Sequence, residues 1–279
     1  MHIQHYLDYT FIDTPESVDT FDELPLWSAP FGRLLLKHIP LKHNLTVLDI
    51  GSGAGFPLIE IAERLGPTSK CYGLDPWVNA NNRARKKIRD YALTNVEVID
   101  GSAEQIPFGN VSIGLIVSNL GINNFDNPDK VLAECHRVLK PNGSIALTSN
   151  LNGHWKEFYS IFEQTLSELG KKELIPALHS HCEHRGTMDS ITQLLESHHF
   201  KISSTKNETL EMRFLDGSSF LNHHFIKLGW MASWKGLIPA EEQQGLFELL
   251  EKYLNTYSHN NNGFALSVPM AYIEASKPI

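Results

Sequence analysis

The hydrophobic period changes twice between Val47 and Asp75. Val47, Leu48 and Ile50 form a short apolar run, the pattern of a buried strand. From Leu58 the apolar positions Leu58, Ile59, Ile61, Ala62 and Leu65 recur at helical spacing, and Cys71–Leu74 returns to a strand. The alternation continues with strands over Val96–Ile99 and Ser112–Ser118. A helix over Pro128–Val138 follows, with Val131, Leu132, Cys135 and Val138 inward, and then a strand over Ser144–Ser149. Asn142-Gly143 supplies the turn before that strand. Such alternation predicts an α/β fold, a doubly wound and mostly parallel sheet with helices on both faces.

Gly51, Gly53 and Gly55 lie where the first strand turns into the first helix. Glycines there let a ligand approach the main chain closely, and the amides opening the helix point at it. The spacing is G-x-G-x-G with Asp49 two positions ahead, not the G-x-G-x-x-G of dinucleotide sites. Asp75 ends the second strand, about twenty residues further on, where a carboxylate can accept from both hydroxyls of a ribose. It can equally cap the helix that Pro76 would open. Trp77 either covers an adenine face or fills the core. Asp49, Asp75, Ser102 and Asn119 all fall at or just beyond carboxyl ends of strands, the edge where open sheets bind ligands.

Four segments, VLDIGSGAGFP, GLDPW, VEVIDGSAEQIPF and HRVLKPNGSIAL, occur in that order within residues 45–150. This stretch resembles class I S-adenosylmethionine-dependent methyltransferases, specifically the methyltransferase type 11 group. The resemblance implies a Rossmann-like, seven-stranded sheet whose final strand is antiparallel, with S-adenosylmethionine as cofactor. Asp49, Gly51, Ser52, Gly53 and Gly55 would lie along its methionine part and ribose. Asp75, followed by Pro76, would hold the ribose hydroxyls, Ser102 and Ala103 would border the adenine, and Asn119 would lie near the methyl donor. Three positions depart from the family pattern. Ser102 and Gly114 stand where an Asp is common, and the loop Gly121-Ile122-Asn123-Asn124 has no His. A serine hydroxyl accepts a hydrogen bond without charge assistance.

The implied reaction is methyl transfer to a small-molecule acceptor by in-line displacement. A sulfonium donor leaves as a neutral thioether, so the protein chiefly supplies alignment and exclusion of water. Alignment alone is worth ~7–11 kcal/mol. A base is needed only for a hydroxyl or protonated-amine acceptor; Tyr9, His154 and His223 are the candidates, each also readable as a wall residue. Trp27, Asn123 and Asn124 are placed on the acceptor side. Two alternatives stay open: a catalytically silent cofactor-binding or regulatory protein of the same fold, and a nicotinamide-dependent oxidoreductase.

Outside the core, residues 1–44 read as an N-terminal helical lid over a pocket or as a cover on the sheet edge. Residues 151–279 would complete the fold. Thr187 caps a helix through Ile191, Leu194 and Leu195, then come strands at Phe200–Thr205 and Ala265–Ala275. Insertions at about 151–185 and 207–263 would form a helical substrate cap, with helices over Trp155–Leu169, Ser218–Leu228 and Ala240–Tyr257. Formal net charge is -8, which argues against a broad nucleic-acid surface. The basic run Arg83–Lys87 reads as a solvated helix face. Cys71, Cys135 and Cys182 are odd in number and widely spaced, as in a reducing compartment. There is no secretory leader pattern, and no apolar run nears the ~20 residues that cross a bilayer. The expectation is a cytoplasmic protein with no membrane partner. The cluster His179–His184 contains metal-ligand chemistry but reads as polar loop residues, so no metal is expected.

Overall fold

The structure, a computed structural model, describes residues 5–23, 26–183 and 185–279. In chain order the elements are α1 (Pro15–Glu23), α2 (Ser28–His38), β1 (Thr46–Ile50), α3 (Leu58–Leu65), β2 (Lys70–Asp75), α4 (Val78–Asp90), β3 (Val96–Asp100), β4 (Ile113–Asn119), α5 (Pro128–Val138), β5 (Leu139–Asn150), α6 (Lys156–Glu168), α7 (Ile175–Glu183), α8 (Met188–Ser197), β6 (Lys201–Phe214), α9 (Gly217–Asn222), α10 (His224–Ile226), α11 (Ala232–Gly236), α12 (Gln243–Asn260) and β7 (Phe264–Ser276). Two compact units divide the chain. The sheet unit holds residues 13–151, 186–208 and 270–279; the helical unit holds residues up to Ile12 with 152–185 and 209–269.

Among the described residues seven strands form one sheet, ordered β3-β2-β1-β4-β5-β7-β6. The pairs β1–β2, β2–β3, β1–β4 and β4–β5 are parallel, and β5–β7 is antiparallel. Strand order reverses between β1 and β4, which makes their carboxyl ends the switch point. Alternation sets the two faces. Leu48, Ile50, Ile116, Ile145 and Leu147 pack with Val131, Leu132 and Cys135 of α5 and Ile191 and Leu195 of α8. Val47, Leu115 and Val117, also buried, project from the other face. α3 buries Leu58, Ile59, Ile61, Ala62 and Leu65, leaves Glu63 and Arg64 exposed, and ends at Gly66 with φ 67°. Asn127 caps α5 by accepting from the Lys130 amide at 3.0 Å. Thr187 caps α8 in a reciprocal pair with Ser190.

Several boundaries differ from the expectation. β5 begins at Leu139, not at Ser144. Leu139 pairs with Ile113, and the register then jumps so that Leu115 faces Ser144; the expected turn is a bulge within the strand, with Asn142 at φ 63°. β6 runs on to Phe214, past the expected Thr205. The single helix expected over Ser218–Leu228 is broken. His223 is extended at ψ 130°, and a π-helical turn at Lys227–Met231 precedes α11. The break resets the inward face so that Phe220 and Leu221, then Ile226, Trp230 and Trp234, are all buried. Residues 179–183, expected in a loop, lie on α7, where Leu178 alone is buried and leaves little periodicity to read.

The helical unit has an aromatic core. Phe158 stacks at 4.4 Å from Trp234, Trp155 at 4.6 Å from Trp230, and Phe220 packs edge-on to Phe264 at 5.3 Å. No helix among the described residues is long and apolar enough to cross a membrane.

Candidate active site

The three loop glycines all take left-handed backbone: φ is 76° at Gly51, 50° at Gly53 and 98° at Gly55. Gly55 is also pressed from behind, since an added Cβ would lie 2.8 Å from Ile59 Cδ1 and 3.1 Å from Ala84 Cβ. Gly53 differs, because its missing side chain would meet nothing within 4 Å. Space is therefore kept open on the outer side of the loop.

Asp75 closes onto this loop. Its Oδ2 accepts from the Gly53 amide at 2.9 Å and its Oδ1 from the Trp77 amide at 2.8 Å. The capping and ligand readings of Asp75 thus meet in one side chain, which ties the glycine bend to the start of α4. Burial raises its pKa above the ordinary carboxylate value, while the two amides pull it down. Asp49 lies deeper and is fully buried, and burial and then the Asp75 charge push its pKa well above 3.8. The Leu58 amide opening α3 favours its charge, yet neither carboxylate oxygen makes a well-formed hydrogen bond. Ser52 Oγ is likewise buried without a partner.

A cavity of about 330 Å³ opens at this strand edge. Of the expected cofactor residues, Gly51, Asp75, Pro76, Ser102, Ala103 and Asn119 line it, together with Asn124 and Trp77. Asp49, Ser52, Gly53 and Gly55 are not among the lining residues. Leu74, Phe125 and Val131 add apolar surface. The sequence reading missed these three, together with Gly121, where an added Cβ would fall 2.3 Å from Ser118 Oγ and 2.9 Å from the Ile50 carbonyl. The glycine of Asn119-Leu120-Gly121 was the available signal, and Leu120 beside it takes φ 68°.

The polar residues after β4 are bound into the protein. Asn119 accepts from Thr148 Oγ1 at 2.7 Å and donates to the Ser28 carbonyl at 3.1 Å, so its amide is largely spent. Asn123 accepts from Ser149 Oγ at 2.6 Å and donates to Asn150 Oδ1 at 2.8 Å, and it lies outside the lining. Ser102 accepts from the Glu104 amide at 3.2 Å. The N-terminal segment reaches two lining residues. Besides the Ser28–Asn119 bond, Asp13 Oδ1 accepts from Trp77 Nε1 at 2.9 Å and from Asn79 Nδ2 at 3.0 Å.

Tyr9, His154 and His223 all belong to the helical unit, and none lines the cavity. His154 is buried and its pKa is pushed down to about 3, first by burial and then by Arg185 and His181, so it is a poor proton acceptor at neutral pH. Tyr9 packs edge-on against His224 at 5.6 Å, and His223 against Phe214 at 5.5 Å. Trp27 packs against Phe31 at 5.4 Å and is not in the lining. In the cluster at 179–184, His179 pairs with Glu163 at 2.9 Å and His181 meets Tyr159 at 3.3 Å; His184 lies outside the described residues. No group of three or more metal-ligand side chains gathers among the described residues. The basic run is paired internally: Arg83 and Lys87 hold Asp22 at 2.8 Å, Arg85 holds Asp100 at 2.9 Å, and Lys86 holds Asp90 at 2.7 Å.

A switch-point cavity, a glycine bend and an acid closing the second strand together define a Rossmann-like site of the adenosine-binding kind. Comparison with known proteins narrows this. The model of the methyltransferase domain family matches residues 41–212, and the chain belongs to that family, the class I S-adenosylmethionine-dependent methyltransferases. It is similar to a demethylmenaquinone methyltransferase of Oceanobacillus iheyensis, with 28% identity over 167 residues, covering 58% of this chain and 68% of that protein. A protein of the same name from Listeria monocytogenes is 33% identical over 141 residues, 49% of this chain and 59% of its own. This chain thus spans only about three-fifths to two-thirds of the length of these relatives. Among solved structures, a putative methyltransferase from Bacillus halodurans superposes with a TM-score of 0.57 at 20% identity, covering 91% of this chain and 100% of that one. An S-adenosylmethionine-dependent methyltransferase from Aquifex aeolicus gives 0.53 at 22% identity, covering 70% and 92%. These likenesses show the fold. The nicotinamide alternative finds no support in them.

Proposed function

We propose that the protein transfers a methyl group from S-adenosylmethionine to a small-molecule acceptor. The observation that carries this is Asp75 Oδ2, 2.9 Å from the Gly53 amide at the edge of the cavity, beside a loop whose outer side is open. The site fits the cofactor in two further respects. Asp49 is a buried carboxylate without a good hydrogen bond, suited to a cationic ligand. The cavity has an apolar side at Leu74, Phe125 and Val131 for a flat base, with Ser102 and Ala103 at its rim.

The cofactor, when bound, supplies a methyl group on a good leaving group. The chain's own residues then have three tasks. Asp75 would accept from the ribose hydroxyls. Asp49 would hold negative charge near the loop. Trp77 and Asn119, each bonded to the N-terminal segment, would fix that segment as a cover that excludes water. On this reading Asp13 and Ser28 belong to the lid. The ionisable side chains among the cavity residues are the carboxylates of Asp75, Glu104 and Asp126, and any base for an acceptor that must lose a proton would come from these on the cavity side. The relatives named demethylmenaquinone methyltransferase make a quinol-like ring the first acceptor to assay. Of the two insertions, 207–263 lies almost wholly outside the matched residues 41–212 and is the expected source of acceptor choice.

Calorimetric titration with S-adenosylhomocysteine, S-adenosylmethionine and NAD is the test. Heat with the first two and none with NAD is expected. Binding of NAD with silence from both sulfur nucleosides would overturn the proposal.

A further inference from the structure

The segment HRVLKPNGSIAL lends no residue to the cavity lining, yet its arginine reaches the wall of the site. That wall is the connection between β3 and β4. Residues 101–112 hold no helix or strand, and three of them, Ser102, Ala103 and Glu104, line the cavity. Bonds within the connection make only local turns: the Gln105 amide donates to the Ser102 carbonyl at 3.1 Å and the Phe108 amide to the Ile106 carbonyl at 2.8 Å.

α5 supplies the anchor. Lys130, Glu134 and Arg137 recur at i, i+4 and i+7, on one face of that helix. Glu134 Oε2 accepts from the Ile106 amide at 2.9 Å, and Arg137 Nη2 donates to the Ile106 carbonyl at 2.9 Å. One ion pair thus grips both backbone polar groups of a single residue. Arg137 Nη1 donates to the Phe108 carbonyl at 2.8 Å and to Asn110 Oδ1 at 3.0 Å. The remaining donors, on Nε and Nη2, go to Glu134 Oε1 and Oε2, each at 2.7 Å. A guanidinium has five donors in a rigid fork, and here each has its acceptor. A lysine ammonium, a single atom with three donors, cannot span this set. Ile106 is buried in the same core as Ala103 and as Val131 of α5, which itself lines the cavity. Lys130 adds an outer tie to Glu104 at 3.3 Å. All these residues belong to the sheet unit.

We propose, resting on the cofactor reading above, that Glu134 and Arg137 are positioning residues of the cofactor site. Neither lines the cavity. They hold the connection by its backbone and so set the place of Ser102, Ala103 and Glu104. A connection released from α5 must be ordered again when the ligand binds, and that cost appears as lost affinity.

The test is calorimetric titration with S-adenosylhomocysteine, at a temperature where each variant is folded by circular dichroism. A role in global stability alone leaves the Kd unmoved there. Asn95→Ala is the matched control, because Asn95 Nδ2 also pins backbone, the Ala62 and Gly66 carbonyls at 2.9 and 2.8 Å, but at the amino end of β3 and outside the cavity lining. Arg137→Lys is expected to raise the Kd at least fivefold and Glu134→Gln at least threefold. Asn95→Ala should melt lower than wild type and keep its Kd within twofold. A folded Arg137→Lys protein whose Kd rises less than fivefold overturns the positioning role. If Arg137→Lys does not fold, Glu134→Gln decides, and a rise below threefold overturns it. A loss in Asn95→Ala equal to that in Arg137→Lys also overturns it, since the effect is then general softening. Wild type that gives no heat overturns the cofactor reading itself, whereas equal binding by wild type and both variants overturns the positioning role alone.

Discussion

Gly53 and Gly66 form a matched pair for separating backbone strain from loss of ligand space. Both have positive φ, 50° and 67°, and at neither would an added Cβ meet anything within 4 Å. Gly66 is the harder position for alanine, because its ψ of -170° places it in a region almost confined to glycine. Alanine at either site should cost about 1–3 kcal/mol of backbone strain. With a melting shift of about 2–4 °C per kcal/mol for a domain of this size, each variant should melt roughly 2–12 °C below wild type. The binding effects should diverge. Gly53 is outside the cavity lining but donates its amide to Asp75, which lines it, so on the proposed placement of the cofactor along this loop the new methyl occupies volume the ligand needs. Overpacking of about 1–3 kcal/mol corresponds to a 5- to 150-fold rise in the S-adenosylhomocysteine Kd. Gly66 caps α3 at its far end, and Gly66→Ala should leave that Kd within twofold. Differential scanning fluorimetry and calorimetry on both variants read the two quantities separately. Equal Kd values for Gly53→Ala and wild type would refute the placement of the cofactor along this loop, as would an equal loss in both variants.

Three further outcomes are expected. Asp75→Asn keeps the shape but can satisfy only one of the two amides at 2.9 and 2.8 Å; losing a charge-assisted bond of about 1.5–3 kcal/mol should raise the S-adenosylhomocysteine Kd roughly 10- to 150-fold, and a change below threefold in calorimetry would contradict the ribose role. Asp49 has a folded pKa raised above its unfolded value, so its ionisation costs stability as pH rises from about 4 through the folded pKa. Asp49→Asn should therefore be more stable than wild type by about 1–3 kcal/mol in urea melts at pH 8, with a smaller gap at pH 5, and it should bind cofactor more weakly; a gap that does not grow with pH contradicts this. Asp13→Ala removes the acceptor that Trp77 Nε1 and Asn79 Nδ2 share; the Trp77 bond alone, at about 0.5–1.5 kcal/mol, should raise the Kd about 2- to 12-fold, and an unchanged Kd would remove Trp77 from the binding surface.

The sheet and its cofactor edge were legible because they rest on local rules. A strand-to-helix change of period, three glycines and an acid ending β2 all declare themselves within about thirty residues of sequence. What escaped depended on contacts distant in sequence. Gly121 is needed because Ser118 Oγ and the Ile50 carbonyl leave no room for a Cβ, and nothing near Gly121 in the chain says so. Asp13 reaches Trp77 across 64 positions, and Ser28 reaches Asn119 across 91. The helical unit was read least well. The break at His223 and the π turn after it serve an aromatic core that no single periodicity describes. Tyr9, His154 and His223 were chosen for residue type alone, and the burial that makes His154 so weak a base follows from packing rather than pattern.

Asp75 shows why capping and ligand binding need not compete for one side chain. A carboxylate has about four acceptor positions, and here two backbone amides take one on each oxygen. The remaining lone pairs are those a ribose diol would use. Because the Gly53 amide is already bound, the loop is held in its bend before any ligand arrives, and ordering it adds no cost to binding. The same arrangement places a second acid, Asp49, behind the first, with each burial and each charge raising the energy of the ionised pair. In the folded protein alone that is a liability. A cation at the site would lower the energy of both carboxylates together, so the strain built into the protein would return as selectivity for a positively charged nucleoside over a neutral or anionic one. If that coupling holds, S-adenosylhomocysteine, which lacks the sulfonium charge, should lose less affinity than S-adenosylmethionine when Asp49 is replaced by Asn. Equal losses for the two ligands would show that Asp49 senses only their shared ammonium and ribose.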